Sequence, residues 1–99
     1  MDPVFEYDPI KGATNKDKHG IDFDTAQRLW DDENAFRAPA LPGIEERWMM
    51  VALFDGRLWV AIYTMRGAVI RLISVRRARP GEEAAYERAR DEKARTDRR

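Results

Sequence analysis

Ninety-nine residues carrying 18 Lys and Arg against 18 Asp and Glu make a formally neutral chain, so attraction to a polyanion has to come from a local patch rather than from net charge. With no cysteine and a single histidine, His19, the composition excludes a disulfide framework, a thiolate nucleophile, a cysteine zinc site and any two-histidine acid-base or metal motif. A chain of this size builds one domain, 1–99, which buries roughly two thirds of its unfolded surface without staples. Its start, MDPVFEYDP, has neither a basic region nor an apolar stretch of the signal-peptide kind, and no apolar run approaches the ~20 residues of a membrane span. The expectation is a soluble, unprocessed, cytoplasmic protein with no cofactor. Charge is nonetheless uneven. Residues 1–75 hold nine basic against twelve acidic side chains, and residues 76–99 hold nine against six.

Val4 to Tyr7 reads as a short strand that ends at Asp8-Pro9, a cap followed by a residue suited to the first helical position. A helix from Pro9 to His19 follows, with Ile10 and Ala13 as its apolar side chains and Lys11, Asn15, Lys16 and Lys18 on its polar side. Lys18 and His19 in the last turn and Gly20 just beyond form an ordinary helix stop. A second helix starts at the cap Asp22 or Asp24 and runs to Trp30, with Phe23, Ala26, Leu29 and Trp30 at core spacing. Asp31, Asp32, Glu33 and Asn34 end it as a solvated acidic run, and Ala35 to Ile44, with Pro39, Pro42 and Gly43, reads as a mobile loop.

From Glu45 the period changes to two. Arg47–Phe54, Arg57–Met65 and Ala68–Val75 are three antiparallel strands joined at Asp55-Gly56 and Arg66-Gly67. One face collects Met49, Val51, Leu53, Leu58, Val60, Ile62, Val69, Ile73 and Val75. The other collects Trp48, Met50, Phe54, Trp59, Tyr63, Ile70 and Leu72. Both faces are apolar, and two short helices cover only one of them. The aliphatic face is expected under the helices, which leaves the aromatic face to the C-terminal segment, a partner or a ligand. Arg71 falls on the aliphatic face in this register, an awkward place for a charge. After Pro80-Gly81, Glu82 to Arg95 is a polar helix with acids early and bases late; Ala85, Tyr86 and Ala89 are its docking residues, and Thr96 to Arg99 are expected to fray.

The chemistry-bearing feature is the end of the third strand. Arg71, Arg76, Arg77 and Arg79 set guanidinium groups at the edge of a rigid sheet, and their planar donor fork matches phosphate oxygens. Surface pairing with carboxylates is the plain alternative for any one of them. His19 is the only side chain of a type whose ordinary pKa lies near neutrality, hence the candidate for proton transfer, although it serves equally as a helix stop.

Phe5-Glu6-Tyr7-Asp8-Pro9 with Lys11, then Asn15, Lys18-His19-Gly20, Phe23 and Ala26, and later Arg66-Gly67 and Ile73-Ser74-Val75-Arg76-Arg77-Ala78, in that order, resemble the BrnT family of toxins from bacterial type II toxin-antitoxin pairs. Two positions depart from its pattern: Tyr7 stands for the usual Trp, and Val75 for a small residue. The resemblance spans Val4 to Tyr86. It implies an α+β fold similar to RelE-type ribonucleases, metal-independent cleavage of RNA that inhibits translation and growth, and neutralisation by a BrnA-like ribbon-helix-helix antitoxin through which alone the pair meets promoter DNA. On this reading Arg76 and Arg77 bind the scissile phosphate, Arg66 or Arg71 is a second clamp, and His19 moves the proton, with Tyr63 or Tyr86 as substitutes. Lys11, Lys18 and Arg79 contact RNA, and Trp48, Trp59 and Tyr63 meet the antitoxin. The rival reading is a non-catalytic interaction module that binds a partner through the aromatic face.

Overall fold

The computed structural model describes residues 2–40 and 46–97. In chain order they form β1 (Val4–Glu6), α1 (Pro9–His19), α2 (Phe23–Ala26) continued by a 3-10 turn (Gln27–Asp31), β2 (Phe36–Pro39), β3 (Trp48–Phe54), β4 (Arg57–Arg66), β5 (Val69–Arg77) and α3 (Pro80–Asp97). The strands make one five-stranded sheet in the order β1-β5-β4-β3-β2. β1 is parallel to β5, and the other pairs are antiparallel. No helix among the described residues is long and apolar enough to cross a membrane.

The expected α+β order holds, with two corrections in its elements. Phe36–Pro39, read as loop, is a fourth antiparallel strand paired with β3. It satisfies the outer edge of β3, and Pro39 ends an edge strand, where a missing N–H is tolerated. Residues 41–44 of that expected loop lie outside the described residues, as do residues 98–99 of the expected frayed end; Thr96 and Asp97 of that end are instead helical, the last turn of α3. The second helix keeps only one α turn before tightening to 3-10 geometry, as its poor helix formers at Asp31 and Asp32 would favour.

The packing of the sheet faces is the reverse of expectation. The aromatic face lies under the N-terminal helices: Met50, Trp59, Tyr63 and Leu72 share one buried cluster with Ile21, Phe23, Ala26 and Leu29. Those helices bring few large side chains, so rings from the sheet and from β1 fill the layer. Phe5 meets Trp30 edge-on at 5.0 Å, Trp30 meets Tyr63 at 5.2 Å, and Tyr7 meets Phe23 at 5.5 Å, geometries that aromatic quadrupoles favour. On the aliphatic face, α3 inserts Tyr86 against Val51 and Val60, flanked by Phe36, Met49, Leu58 and Ile62. Thus Trp59 and Tyr63, 7% and 5% exposed, are interior residues and offer no partner surface; Trp48 is half-buried against the same core.

α1 buries Gly12 against Phe23 of α2 and Asn15 on β5, while Ile10 is 78% exposed. Asn15 makes the connection. β1 pairs with β5 only as far as Arg71, which leaves the outer edge of β5 open beyond it. There the Asn15 amide donates to the Val75 carbonyl (2.8 Å) and accepts from the Val75 N–H (3.1 Å), and it donates also to the Ile21 carbonyl at 2.8 Å. One side chain replaces a missing strand.

A bulge sets the rest of β5. Tyr63 is opposite Leu72 but Ile62 is opposite Ser74, so Ile73 is the extra residue. The alternation slips by one. Val75, expected on the aliphatic face, is instead fully buried in the helix-side cluster, and Arg77, two residues on, follows it. Arg76 is turned to the α3 side.

Asp32, expected in a solvated helix end, instead ties two layers together. Its Oδ2 accepts from the Leu53 N–H and from the Tyr86 hydroxyl, both at 2.8 Å, and its Oδ1 accepts from the Asn34 N–H at 2.9 Å.

Two measurements check this arrangement. Asn15→Ala strands a buried N–H and two carbonyls and is expected to lower stability by ~2–3 kcal/mol, seen as a lower urea midpoint with an unchanged slope. Burial and the Asp32 carboxylate push the Tyr86 hydroxyl up from 10.0 to about 12. Its contribution is complete below pH 10 and is lost as the pH rises through that interval, so Tyr86→Phe is expected to flatten the alkaline limb of the stability profile.

Candidate active site

The last turn of α1 carries Lys16, Lys18 and His19 and ends at Gly20, whose φ of 81° suits glycine and whose N–H bonds the Lys16 carbonyl at 2.9 Å. Because Asn15 ties this turn to Val75, the exit of α1 lies beside the end of β5. From the other side comes the β3–β4 turn, where Asp55 and Gly56 have φ of 53° and 75°, the paired positive values of a tight hairpin. The turn places Arg57 next to Trp59 along β4, and Trp59 is the register partner of Arg77. These three pieces enclose a cleft of about 330 Å³ lined by Lys16, His19, Asp22, Phe54, Arg57, Trp59 and Arg77, among others.

Four basic side chains thus face one small space. Arg77 is exposed and its guanidinium lies 5.4 Å from the centre of the Trp59 ring, a contact that orients the charge without neutralising it. The enclosed Trp59 indole N–H has no acceptor among the described residues. Asp22, the acid at the α1–α2 junction, is committed to structure: it accepts the Thr25 N–H at 2.7 Å, which with the Lys16 charge 3.9 Å away holds its carboxyl below the usual range.

The expected arginine cluster is divided. Arg77 and His19 line the same cleft. Arg76 does not join them: it faces α3 and makes a two-pronged pair with Glu82, both contacts 2.8 Å. Glu82 is also the third helical residue of α3 and accepts the Arg79 N–H at 2.8 Å, half of a capping box. Arg66, the last residue of β4, and Arg71, near the start of β5, lie at the opposite end of that strand pair and both turn to Glu6. Arg71 is six residues from Arg77, about 20 Å along an extended strand, so neither is a second clamp on the same phosphate. Glu6 Oε1 is enclosed, 3.4 Å from Arg66 and 3.6 Å from Arg71, but neither guanidinium is aligned to hydrogen-bond it. Charge rather than directed bonding holds this trio, and it resolves the awkward placement of Arg71.

Lys11 and Lys18 are exposed on α1, and Arg79 is exposed ahead of α3; none of them lines the cleft. The tyrosine substitutes for the base are also displaced. Burial raises the Tyr63 hydroxyl and, with Asp32, the Tyr86 hydroxyl, so both are held protonated. Lys16 and Arg57 went unnoticed in the sequence. For Arg57 a signal existed, since it precedes Trp59 by two on a strand whose aromatic face was assigned.

A model of the family described as the ribonuclease toxin BrnT of type II toxin-antitoxin systems matches residues 7–82. The chain belongs to the BrnT family. No curated relative matches it individually. The family match takes in α1, all of β2 to β5 and the start of α3, and with them every residue named in the cleft. Most of α3 lies beyond the matched residues.

The two adjacent arginines are expected to separate under mutation. Arg76→Ala leaves Glu82 without its partner and lowers stability by ~1–3 kcal/mol; Arg77→Ala loses only an exposed cation–π contact, ~0.5–1 kcal/mol. Its pairing with Arg76 holds the Glu82 carboxyl below the ordinary range. The pair's contribution is therefore present above the ordinary carboxylate pKa and disappears as the pH falls through the depressed one. Acid titration of unfolding should show that limb in the wild type and in Arg77→Ala, and lose it in Arg76→Ala.

Proposed function

We propose that the chain is a metal-independent endoribonuclease, the toxin of a type II pair, and that the cleft between α1, the β3–β4 turn and the end of β5 is its active site. One observation carries this reading: His19 and the cations Lys16, Arg57 and Arg77, far apart in sequence, line the same cleft. The family description as a ribonuclease toxin supports the substrate class. Two N-terminal helices on an antiparallel meander support kinship with RelE-type ribonucleases.

RNA supplies its own nucleophile. The 2′-hydroxyl attacks the adjacent phosphorus, its proton passes to His19, the P–O5′ bond breaks, and the departing oxygen takes up a proton; the products are a 2′,3′-cyclic phosphate and a 5′-hydroxyl. Arg77 and Arg57 hold the non-bridging oxygens as negative charge builds on the pentacoordinate phosphorus. A preorganised donor of this kind contributes on the order of 3 kcal/mol, and Lys16 adds a further charge at the rim. Arg76 acts at one remove by holding the start of α3.

The reading includes neutralisation by a BrnA-like ribbon-helix-helix antitoxin, which alone carries the pair to promoter DNA. The antitoxin's contact surface cannot be the one first expected, because Trp59 and Tyr63 are interior. The same burial removes the surface on which the non-catalytic module reading depended.

The test is tightly induced expression in a bacterial host, with growth and RNA integrity followed together and cleavage repeated with purified protein in EDTA. Wild type is expected to arrest growth and fragment RNA. Arg77→Ala and His19→Ala, folded and at matched soluble levels, are expected to lose ~10²–10³ in cleavage rate and to permit growth. Intact RNA and normal growth with the wild type would sink the toxin reading; full activity in both variants would sink this site.

A further inference from the structure

The proposed active site contains one buried hydrogen-bond donor to which the mechanism gives no task, the indole of Trp59. The residue keeps 7% of its surface and lines the cleft, yet its enclosed Nε1–H has no acceptor among the described residues. An indole N–H can only donate, and leaving one unpaired in an interior is costly. The cleft's carboxylates, Asp22 and Asp55, do not accept from it, and the cations Lys16, Arg57 and Arg77 are donors themselves. We propose that Trp59 is a further substrate-binding residue: when an RNA phosphodiester enters the cleft, Arg77 moves from the ring onto the phosphate, and the indole N–H it uncovers donates to an anionic oxygen of the same group. The proposal rests on the nuclease reading for its ligand and adds to it a donor and a motion.

The sheet brings three donors to one place. Arg57 and Trp59 are two apart on β4 and so share a face, roughly 7 Å apart along the strand. Arg77 is the register partner of Trp59 on β5, where directly opposed side chains start about 5 Å apart. A phosphate set against Trp59 is therefore within reach of both guanidinium groups. Because Nε1 is enclosed, an acceptor reaches it only when a neighbour gives way, and the neighbour over the ring is Arg77, its guanidinium 5.4 Å from the ring centre. Arg77 is exposed and has no carboxylate partner among the described residues. What it leaves is one exposed cation–π contact, weaker than the charge-assisted hydrogen bonds to phosphate that replace it. The surrounding charge also selects the acceptor: Lys16, Arg57 and Arg77 favour an anionic oxygen over the neutral carbonyl of a base.

The chain has three tryptophans and hence three indole N–H signals in a proton–nitrogen correlation NMR spectrum of the full-length protein. Trp30→Phe and Trp48→Phe identify the third by elimination, even if Trp59→Phe fails to fold. The probes are the uncleavable 2′-O-methyl trinucleotide UUU and uridine, which has base carbonyls but no phosphate. The trinucleotide is expected to move the Trp59 signal downfield and to slow its exchange with water, and uridine to do neither. Trp59→Phe, where folded, is expected to bind the trinucleotide about tenfold more weakly, or worse. If the trinucleotide binds while the Trp59 signal keeps its position and exchange rate, water serves the donor and the inference is overturned with the nuclease reading intact. A response to uridine overturns it equally, because the acceptor is then a base. No binding of the trinucleotide also overturns it, and RNA cleavage by the wild type decides the nuclease reading separately. The expected response in a chain that cuts no RNA upholds Trp59 as an anion-binding donor and sinks only the nuclease reading.

Discussion

The carboxamide of Asn15 is the interaction on which the rest of the site depends. α1 is a poor helix for packing: its large apolar residue, Ile10, points to solvent, and its buried residues are Gly12, against Phe23, and Asn15, on β5. Burial of hydrocarbon therefore contributes little to where it sits. Its position comes from hydrogen bonds made where β1 has ended and β5 would otherwise leave Val75 unpaired. A buried amide is costly unless satisfied, so this contact tolerates little sliding, which an apolar contact would permit. The third bond, to the Ile21 carbonyl, fixes the chain as it leaves the helix. Between Asn15 and Ile21 lies His19, so the bonds that set the helix also set the candidate proton-transfer group against the end of β5.

The bulge at Ile73 completes that geometry by dividing two adjacent arginines between two tasks. In an unbroken strand the parity that buries Ile70 and Leu72 under the helices would have sent Arg76 toward the cleft and Arg77 toward α3. The extra residue reverses them. Arg76 then meets Glu82 with both prongs of its guanidinium, while Glu82 caps the first turn of α3. Arg77 lies across Trp59 with no carboxylate partner among the described residues. A guanidinium already saturated by a carboxylate is a poor phosphate ligand, because its donors are taken and its charge is offset. One arginine can therefore hold α3 in place while the other is left for chemistry.

Those two features also mark how far the sequence could be read. The bounds of α1, the Asp55-Gly56 hairpin and the membership of each sheet face as far as the bulge at Ile73 follow from caps, turn chemistry and period-two alternation, all of them local signals. Which face lies under which helices was not local. Two short helices with few large side chains need bulk from the sheet, so the rings of Trp59 and Tyr63 belong under them; weighing the poverty of α1 against the richness of that face would have indicated it. Phe36–Pro39 was hidden because Pro39 suggests a loop, although a proline is acceptable at the end of an edge strand. The bulge gave no local sign at all, since Ile73 suits a strand in either register, and every error about Val75, Arg76 and Arg77 descends from it. Asn15 reads from the sequence as a polar surface residue because an amide is usually exposed; only the early end of β1 explains its burial.

A formally neutral chain attracts RNA only through a local patch, and the positions of its acids leave room for one. Asp8 and Asp22 cap helices, Asp32 anchors β3 and Tyr86, Glu6 sits between Arg66 and Arg71, and Glu82 is closed on Arg76. These carboxylates are bound to backbone N–H groups or to partners, several of them well away from the cleft, so their charge is locally compensated. Lys16, Arg57 and Arg77 gather instead around the β3–β4 turn with His19. At physiological ionic strength exposed charges are felt over about 8 Å, so a polyanion that reaches this end of the molecule responds to the nearby cations rather than to the sum over the chain. A neutral total is compatible with a cationic cleft when acids such as these five are held by the fold.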